Sequence, residues 1–326
     1  MIPTAVGNYP KVAEGGYGTG VIGAISRWQR KELSDAQLEE TFREVTRAVI
    51  KEQEAAGLQM VTDGQIRWED LVTPIARRLQ GFEINGLTRW FNNNVYYRKP
   101  ILHKAPVRRG PILVEEYKFA QSVAKRPVKA VLPGPYTFAK LSEDQHYRRE
   151  RPLVLKLAEL LNEEARALVE AGASFVQFDE PALGFGKPDV KLAIEGLNVA
   201  ASGLKATRAV YTYFGSLNGA LPALMKAHVE VIGVDPVSDG KLLPALRKTK
   251  ITKALAVGCL DGRNTKLESV KDLHALFDAL ARLVPADQLY VNPSCGLEFL
   301  PHAQARAKLQ RLGEAVRTYS RKARRR

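Results

Sequence analysis

The sequence predicts an α/β fold: a single (β/α)8 TIM barrel with a long insertion after its second strand. Three observations point there. Eight short apolar runs each give way to a stretch of helical periodicity. Those runs lack the polar alternation of half-exposed strands, as parallel strands covered on both faces do. The chain has 326 residues, 45% hydrophobic and 26% charged, enough to enclose a large core in one barrel domain. An open doubly wound sheet is the competitor, but the first strand lacks the Gly-rich turn that a dinucleotide-binding sheet uses.

The elements follow in order. Residues 3–8 form the first expected strand, and a long amphipathic helix runs over 35–56, capped by Ser34 or Asp35 and ended at Gly57. Strands are expected at 58–62, 128–132, 174–178, 209–214, 229–234, 253–259 and 289–292. Helices fall between them at 152–171, 190–201, 217–226, 241–248, 269–283 and 303–320. The domain reading is one barrel over 1–320, an insertion at about 64–127 and a basic tail at 321–326. Long excursions after a barrel strand usually cover or line the site.

Composition narrows the function classes. Two cysteines, Cys259 and Cys295, do not make a disulfide framework. The net charge of +14 suits an anionic small substrate or an acidic partner. No zinc-finger spacing or RNA-binding signature accompanies that charge, so a solvated basic surface is the better reading than a nucleic-acid interface. The longest apolar stretch, Ala254–Leu260, is too short to span a bilayer, and no basic segment with an apolar core opens the chain. A cytoplasmic protein with no membrane partner is expected.

Barrel chemistry sits where strands end. The exits here are polar: Asn8; Asp63 and Gln65; Asp179 and Glu180; Tyr211, Thr212 and Tyr213; Asp235; and Ser294 with Cys295. Asp179 and Glu180, followed by Pro181, aim carboxylates at the mouth, where one would accept hydrogen bonds from a substrate ammonium. A helix cap or structural ion pair is the equal alternative. Cys295 offers a thiolate for zinc or for nucleophilic attack, or else a small buried apolar group. No HxH, HxxxH or CxxC pair exists to build a metal site locally.

Read together, three strings resemble the cobalamin-independent methionine synthase family. They are Val176-Gln177-Phe178-Asp179-Glu180-Pro181-Ala182-Leu183, Gly134-Pro135-Tyr136-Thr137 and Asn292-Pro293-Ser294-Cys295-Gly296-Leu297. Three more are similar to the N-terminal barrel of the two-barrel enzyme: Asp63 to Asp70, Arg89 to Asn94 with Tyr96 and Tyr97, and Val257 to Asn264. The resemblance implies methyl transfer to homocysteine from methyltetrahydrofolate or a methylcobalamin-type corrinoid. It implies Asp179 and Cys295 as catalytic residues, and Asn8, Gln65, Arg67, Trp68, Glu180, Tyr213 and Ser294 around the substrate.

The departures concern zinc. The family holds it with His-x-Cys on strand five, Glu on strand six and Cys on strand eight. Here Val210 and Thr212 are expected to replace the His and Cys, leaving Asp235 and Cys295 as half a site. Zinc wants about four N, S or O ligands, so tight binding by this chain is not expected. Gln65 replaces a family Glu, and Gly15 to Gly20 lack the basic residues that grip a folate tail. Two functions follow: a homocysteine methyltransferase with a degenerate zinc site, or a non-catalytic barrel serving a separately encoded catalytic one.

Overall fold

The computed structural model describes residues 1–11, 20–89, 96–217 and 219–323, with 322 and 323 as backbone only. Its strands are β1 (Ile2–Pro3), β2 (Gln80–Arg89), β3 (Tyr96–Val107), β4 (Ala130–Pro133), β5 (Glu143–Asp144), β6 (Phe175–Asp179), β7 (Thr207–Tyr211), β8 (Val231–Val234), β9 (Ala254–Leu260) and β10 (Leu289–Pro293). Seven of them form a parallel sheet in the order β1-β10-β9-β8-β7-β6-β4. The gap between β1 and β4 is bridged by the segment expected to be strand two. Thr4 pairs in parallel with Met60, and Val61 with Val128. Hydrogen bonds from Gln59 N to Pro3 O (2.9 Å) and from Lys129 N to Val61 O (2.8 Å) complete the ring. Strand two is therefore reduced to isolated bridges, yet it closes the barrel.

Strand alternation sorts the core into two layers. Val6, Phe175, Ala209, Tyr211, Tyr213, Val231, Ala256 and Cys295 pack together inside the ring. The alternate residues, among them Val61, Leu132, Val176, Phe178, Val210, Ile232, Val257 and Val291, pack outward against the helices. The helix Asp35–Ala55 starts at Ser34, whose side chain and Gln37 form a capping box. Gly57, at φ 90°, turns the chain into the closing segment.

The insertion holds more structure than its sequence announced. β2 and β3 form an antiparallel ribbon, and β5 joins β3 in parallel. The ribbon rests on the helix Pro135–Lys140: Phe82 stacks on Phe138 with centroids 5.7 Å apart, and the Tyr97 hydroxyl donates to Leu141 O at 2.8 Å. It thus stands beside the exit of β4. A helix over Gly20–Gln29 was also unforeseen. The helix expected at 217–226 shrinks to Leu221–Leu224, with Pro222 near its start. The C-terminal helix, His302–Ala323, takes in the first half of the expected tail. Residues 324–326 lie outside the described residues, as do Trp90 to Asn94 and most of the Gly15 to Gly20 stretch. Among the described residues no helix is long and apolar enough to cross a membrane.

Candidate active site

Phe175, Gln177 and Asp179 alternate inward along β6, which puts two polar side chains inside an otherwise apolar ring. Asp179, 2% exposed, accepts from Gln177 Nε2 at 2.6 Å and from the Tyr213 hydroxyl at 3.0 Å. Gln177 is anchored in turn by a 3.0 Å bond from Nε2 to Val6 O. Lys129 shares this interior. Its Nζ donates to Ala5 O at 2.6 Å and lies 4.7 Å from the centre of the Tyr211 ring. Burial pushes Asp179 up and Lys129 down, and the attraction between the two opposes both shifts. The sequence reading passed over Lys129, although a lysine inside the apolar run at 128–132 was a visible signal.

The loop after β10 closes on the same rim. Leu297 N donates to Asn8 O at 2.8 Å, and Ser294 Oγ accepts from Gly262 N at 3.1 Å. Ser294 thereby ties two strand exits together. The Cys295 thiol is 1% exposed and donates to Gly296 O at 3.3 Å. Burial, with Glu298 and Asp235 nearby, holds it well above the usual thiol range. Glu298, another residue unremarked in the sequence, folds back over Gly296: a Cβ on that glycine would lie 2.1 Å from Glu298 Oε2 and 2.9 Å from Asn8 Cβ. Burial raises Glu298 to about 7, against the pull of Lys11. Lys11 Nζ itself donates to Asn8 Oδ1 at 2.9 Å.

Gln65 sits at the second-strand exit in the left-handed region, at φ 47°. Its Oε1 abuts Gly7, where a Cβ would come within 2.6 Å, and its Nε2 is buried without a partner. Asn8, Gln65, Asp179, Tyr213, Ser294 and Cys295 thus all stand at strand exits on one end of the ring.

Of the other expected members, Arg67 and Glu180 face elsewhere and Trp68 stands behind Gln65. Arg67 grips Glu39 through both guanidinium ends, at 2.5 and 2.6 Å, and lies over the Phe42 ring, so it faces the helix Asp35–Ala55. Trp68, 3% exposed, lines a small interior cavity together with Asp63, Gln65, Tyr117 and Lys129. Glu180 turns away from the mouth and accepts from Tyr136 N at 2.9 Å and Thr137 N at 2.7 Å. It caps the helix Pro135–Lys140, with burial first among the causes that raise it to about 7.

The expected zinc donors do not converge. Val210 packs outward with the helices, and Thr212 Oγ1 donates to Gly233 O at 2.8 Å. Neither faces the mouth, so the expected register for His-x-Cys is off by one: the inward pair is Tyr211 and Tyr213. Asp235 is used as a loop cap, taking amides from Val237 and Ser238 at 3.0 Å and from Phe214 at 3.2 Å. Two tyrosines, an aspartate spent on capping amides and a single thiol do not fit a resident zinc. Among the described residues no group of three or more His, Cys, Asp or Glu side chains is placed to hold a metal. Cys259 faces the outer layer, its thiol pushed up to about 12 by burial, and stays apolar filler.

Comparison with known proteins adds to this geometry. The profile of the family described as cobalamin-independent synthase, catalytic domain, matches residues 1–318. Proteins named methionine synthase from Saccharolobus solfataricus and Sulfurisphaera tokodaii are each 32% identical over 311 residues. The alignments cover 92% and 95% of this chain and 93% and 90% of theirs. A solved B12-independent methionine synthase from Shewanella sp. W3-18-1, in complex with selenomethionine, matches at TM-score 0.82 and 25% identity, covering 97% of both chains. A putative vitamin-B12 independent methionine synthase from Listeria monocytogenes matches at TM-score 0.76 and 15% identity over 98% of each, a likeness of fold.

Proposed function

The chain belongs to the cobalamin-independent synthase family, and from that premise we propose that it transfers a methyl group to the thiol of homocysteine, forming methionine. The observation that carries this reading is Asp179, a carboxylate buried at a barrel exit with its orientation fixed by Gln177 and Tyr213. It suits a substrate ammonium, and a methionine-sized amino acid held there would reach toward Cys295 and the loop after β10. The selenomethionine bound by the Shewanella relative is a ligand of that class.

Asn8 and Gln65 supply donors at the same rim, Gln65 with an amide Nε2 that has no protein partner. Tyr213 orients Asp179, and Ser294 braces the loop that carries Cys295. The methyl donor is a methylfolate or a methylcorrinoid. A groove of about 410 Å³ beside the β6 exit, lined by Arg89, Tyr97, Tyr136, Lys140, Phe185 and Lys187, suits a flat anionic molecule. No step is routed through zinc, because the donors at the rim do not fit it. We also place the protein in the cytoplasm, where these substrates are made.

The competing role, a binding barrel for a separate catalytic one, loses ground. The curated relatives match over nearly their whole length, so a barrel of this size is the full unit in them. The test is methionine formation from homocysteine with methylcobalamin and with methyltetrahydrofolate, alongside calorimetry and elemental analysis of one sample. Turnover with one donor, homocysteine binding and far less than one zinc per chain are expected. No turnover and no binding would overturn the reading, and one tightly held zinc per chain would overturn the metal assignment.

A further inference from the structure

We propose that Glu298 is a second substrate-binding carboxylate, sharing the ammonium of the amino-acid substrate with Asp179. The inference rests on the function proposed above and names a residue that reading does not need. Three features carry it.

The first is placement. Glu298 folds over Gly296 into the rim, where only a glycine leaves room for it. A Cβ at Gly296 would touch both Glu298 Oε2 and Asn8 Cβ, at 2.1 and 2.9 Å, which puts Glu298 at the mouth beside Cys295 and between two strand exits. Asp179, Tyr213 and Cys295 are close enough to feel its charge. The second is an unmet demand. Glu298 Oε2 is out of water and has no hydrogen-bond partner. Lys11, the nearby cation, donates to Asn8 Oδ1 at 2.9 Å instead. A buried carboxylate oxygen left so costs on the order of a few kcal/mol unless a donor meets it. The third is Tyr211, a residue 2% exposed whose hydroxyl also has no partner and which is close enough to Asp179, as to Tyr290, to feel its charge.

These groups ask for a small cation carrying several donors. Asp179 already accepts two hydrogen bonds, but an ionised carboxylate has about four lone-pair positions. A primary ammonium has three N–H groups: one for Asp179, one for Glu298 Oε2 and one for the Tyr211 oxygen. Two carboxylates near one another also repel, and a positive charge between them relieves that repulsion. Among the described residues no three His, Cys, Asp or Glu side chains are placed to hold a metal ion there.

The test is calorimetry of L-methionine and of its des-amino analogue, 4-(methylthio)butanoate, on the full chain and on the variants Glu298→Gln and Asp179→Asn. Glu298→Gln keeps the shape, and a melting curve checks its fold. It is expected to weaken methionine by about 10- to 100-fold, the usual worth of one charge-assisted bond, and to leave the analogue unchanged. Equal methionine affinity in the wild type and Glu298→Gln overturns the inference, as does an equal loss of both ligands. If Asp179→Asn alone loses methionine, the function stands and only Glu298 falls. If the wild type binds no methionine, the function reading falls first.

Discussion

Asp179 and Glu180 are chain neighbours of the same charge with opposite uses. β6 points Asp179 into the ring, and the next residue must point outward, where Glu180 meets the buried helix-start amides of Tyr136 and Thr137. The sequence displayed both carboxylates at a strand end but could not divide their roles. The division depends on amides contributed by residues more than forty positions away. Gly134 is part of the same arrangement, since a Cβ there would lie 2.0 Å from Glu180 Cδ. Glu180→Ala removes both acceptors from a site that is 0% exposed. Each buried amide left without a partner costs about 1–3 kcal/mol, so a loss of about 3 kcal/mol is expected in urea unfolding. A loss below about 1 kcal/mol would mean that water replaces the carboxylate and that the cap is not structural. Lys129 teaches the converse. It was legible as a charge within an apolar strand, and only strand phase, which the sequence leaves open, shows that it points inward toward Asp179.

At the scale of elements, legibility followed the range of the interactions. The helix Asp35–Ala55 was readable because its cap, period and terminating glycine are local. So were β6, β8, β9 and β10, where short apolar runs sit between turn residues. The β2–β3 ribbon was not. Its exposed faces mix charged, polar and aromatic residues, and its pairing joins segments around Trp90 to Asn94 that carry no tight-turn signature. The register of β7 was misjudged for a related reason. An apolar run buried on both faces has no alternation to set its phase. Helix packing supplies a test with an unusual sign. Gly313 lies inside the helix His302–Ala323, where replacing glycine with alanine normally gains roughly 0.5–1 kcal/mol. Here a Cβ would come 1.7 Å from the carbonyl oxygen of Ala56, a backbone atom that cannot swing aside. Gly313→Ala is therefore expected to destabilise by about 1–3 kcal/mol in thermal or denaturant unfolding. A gain in stability would show that this helix does not ride against the end of Asp35–Ala55.

For the whole molecule, ring closure takes acids from distant parts of the chain out of water near the strand exits, and stability should register that. Glu180 and Glu298 are both raised to about 7, burial being the first cause in each. In the unfolded chain the same groups ionise near 4.3. Between those values the folded state holds protons that the unfolded state has released. The stability these groups confer is fully present below about pH 4.3 and is lost as pH rises toward 7. Depressed carboxylates such as Glu39, beside Arg67, work in the opposite sense and at lower pH, so the total curve mixes both. A difference measurement separates them. Glu298→Gln cannot ionise, so its melting temperature should drop less than that of the wild type between pH 5 and 7.5. The two curves should converge at the acid end. A bound amino acid should then raise the wild-type melting temperature more at pH 7.5 than at pH 5, because its ammonium meets a carboxylate that has already lost its proton. Parallel curves for the two proteins across this range would show that Glu298 keeps one charge state throughout, and that the rim is wetter than its geometry implies.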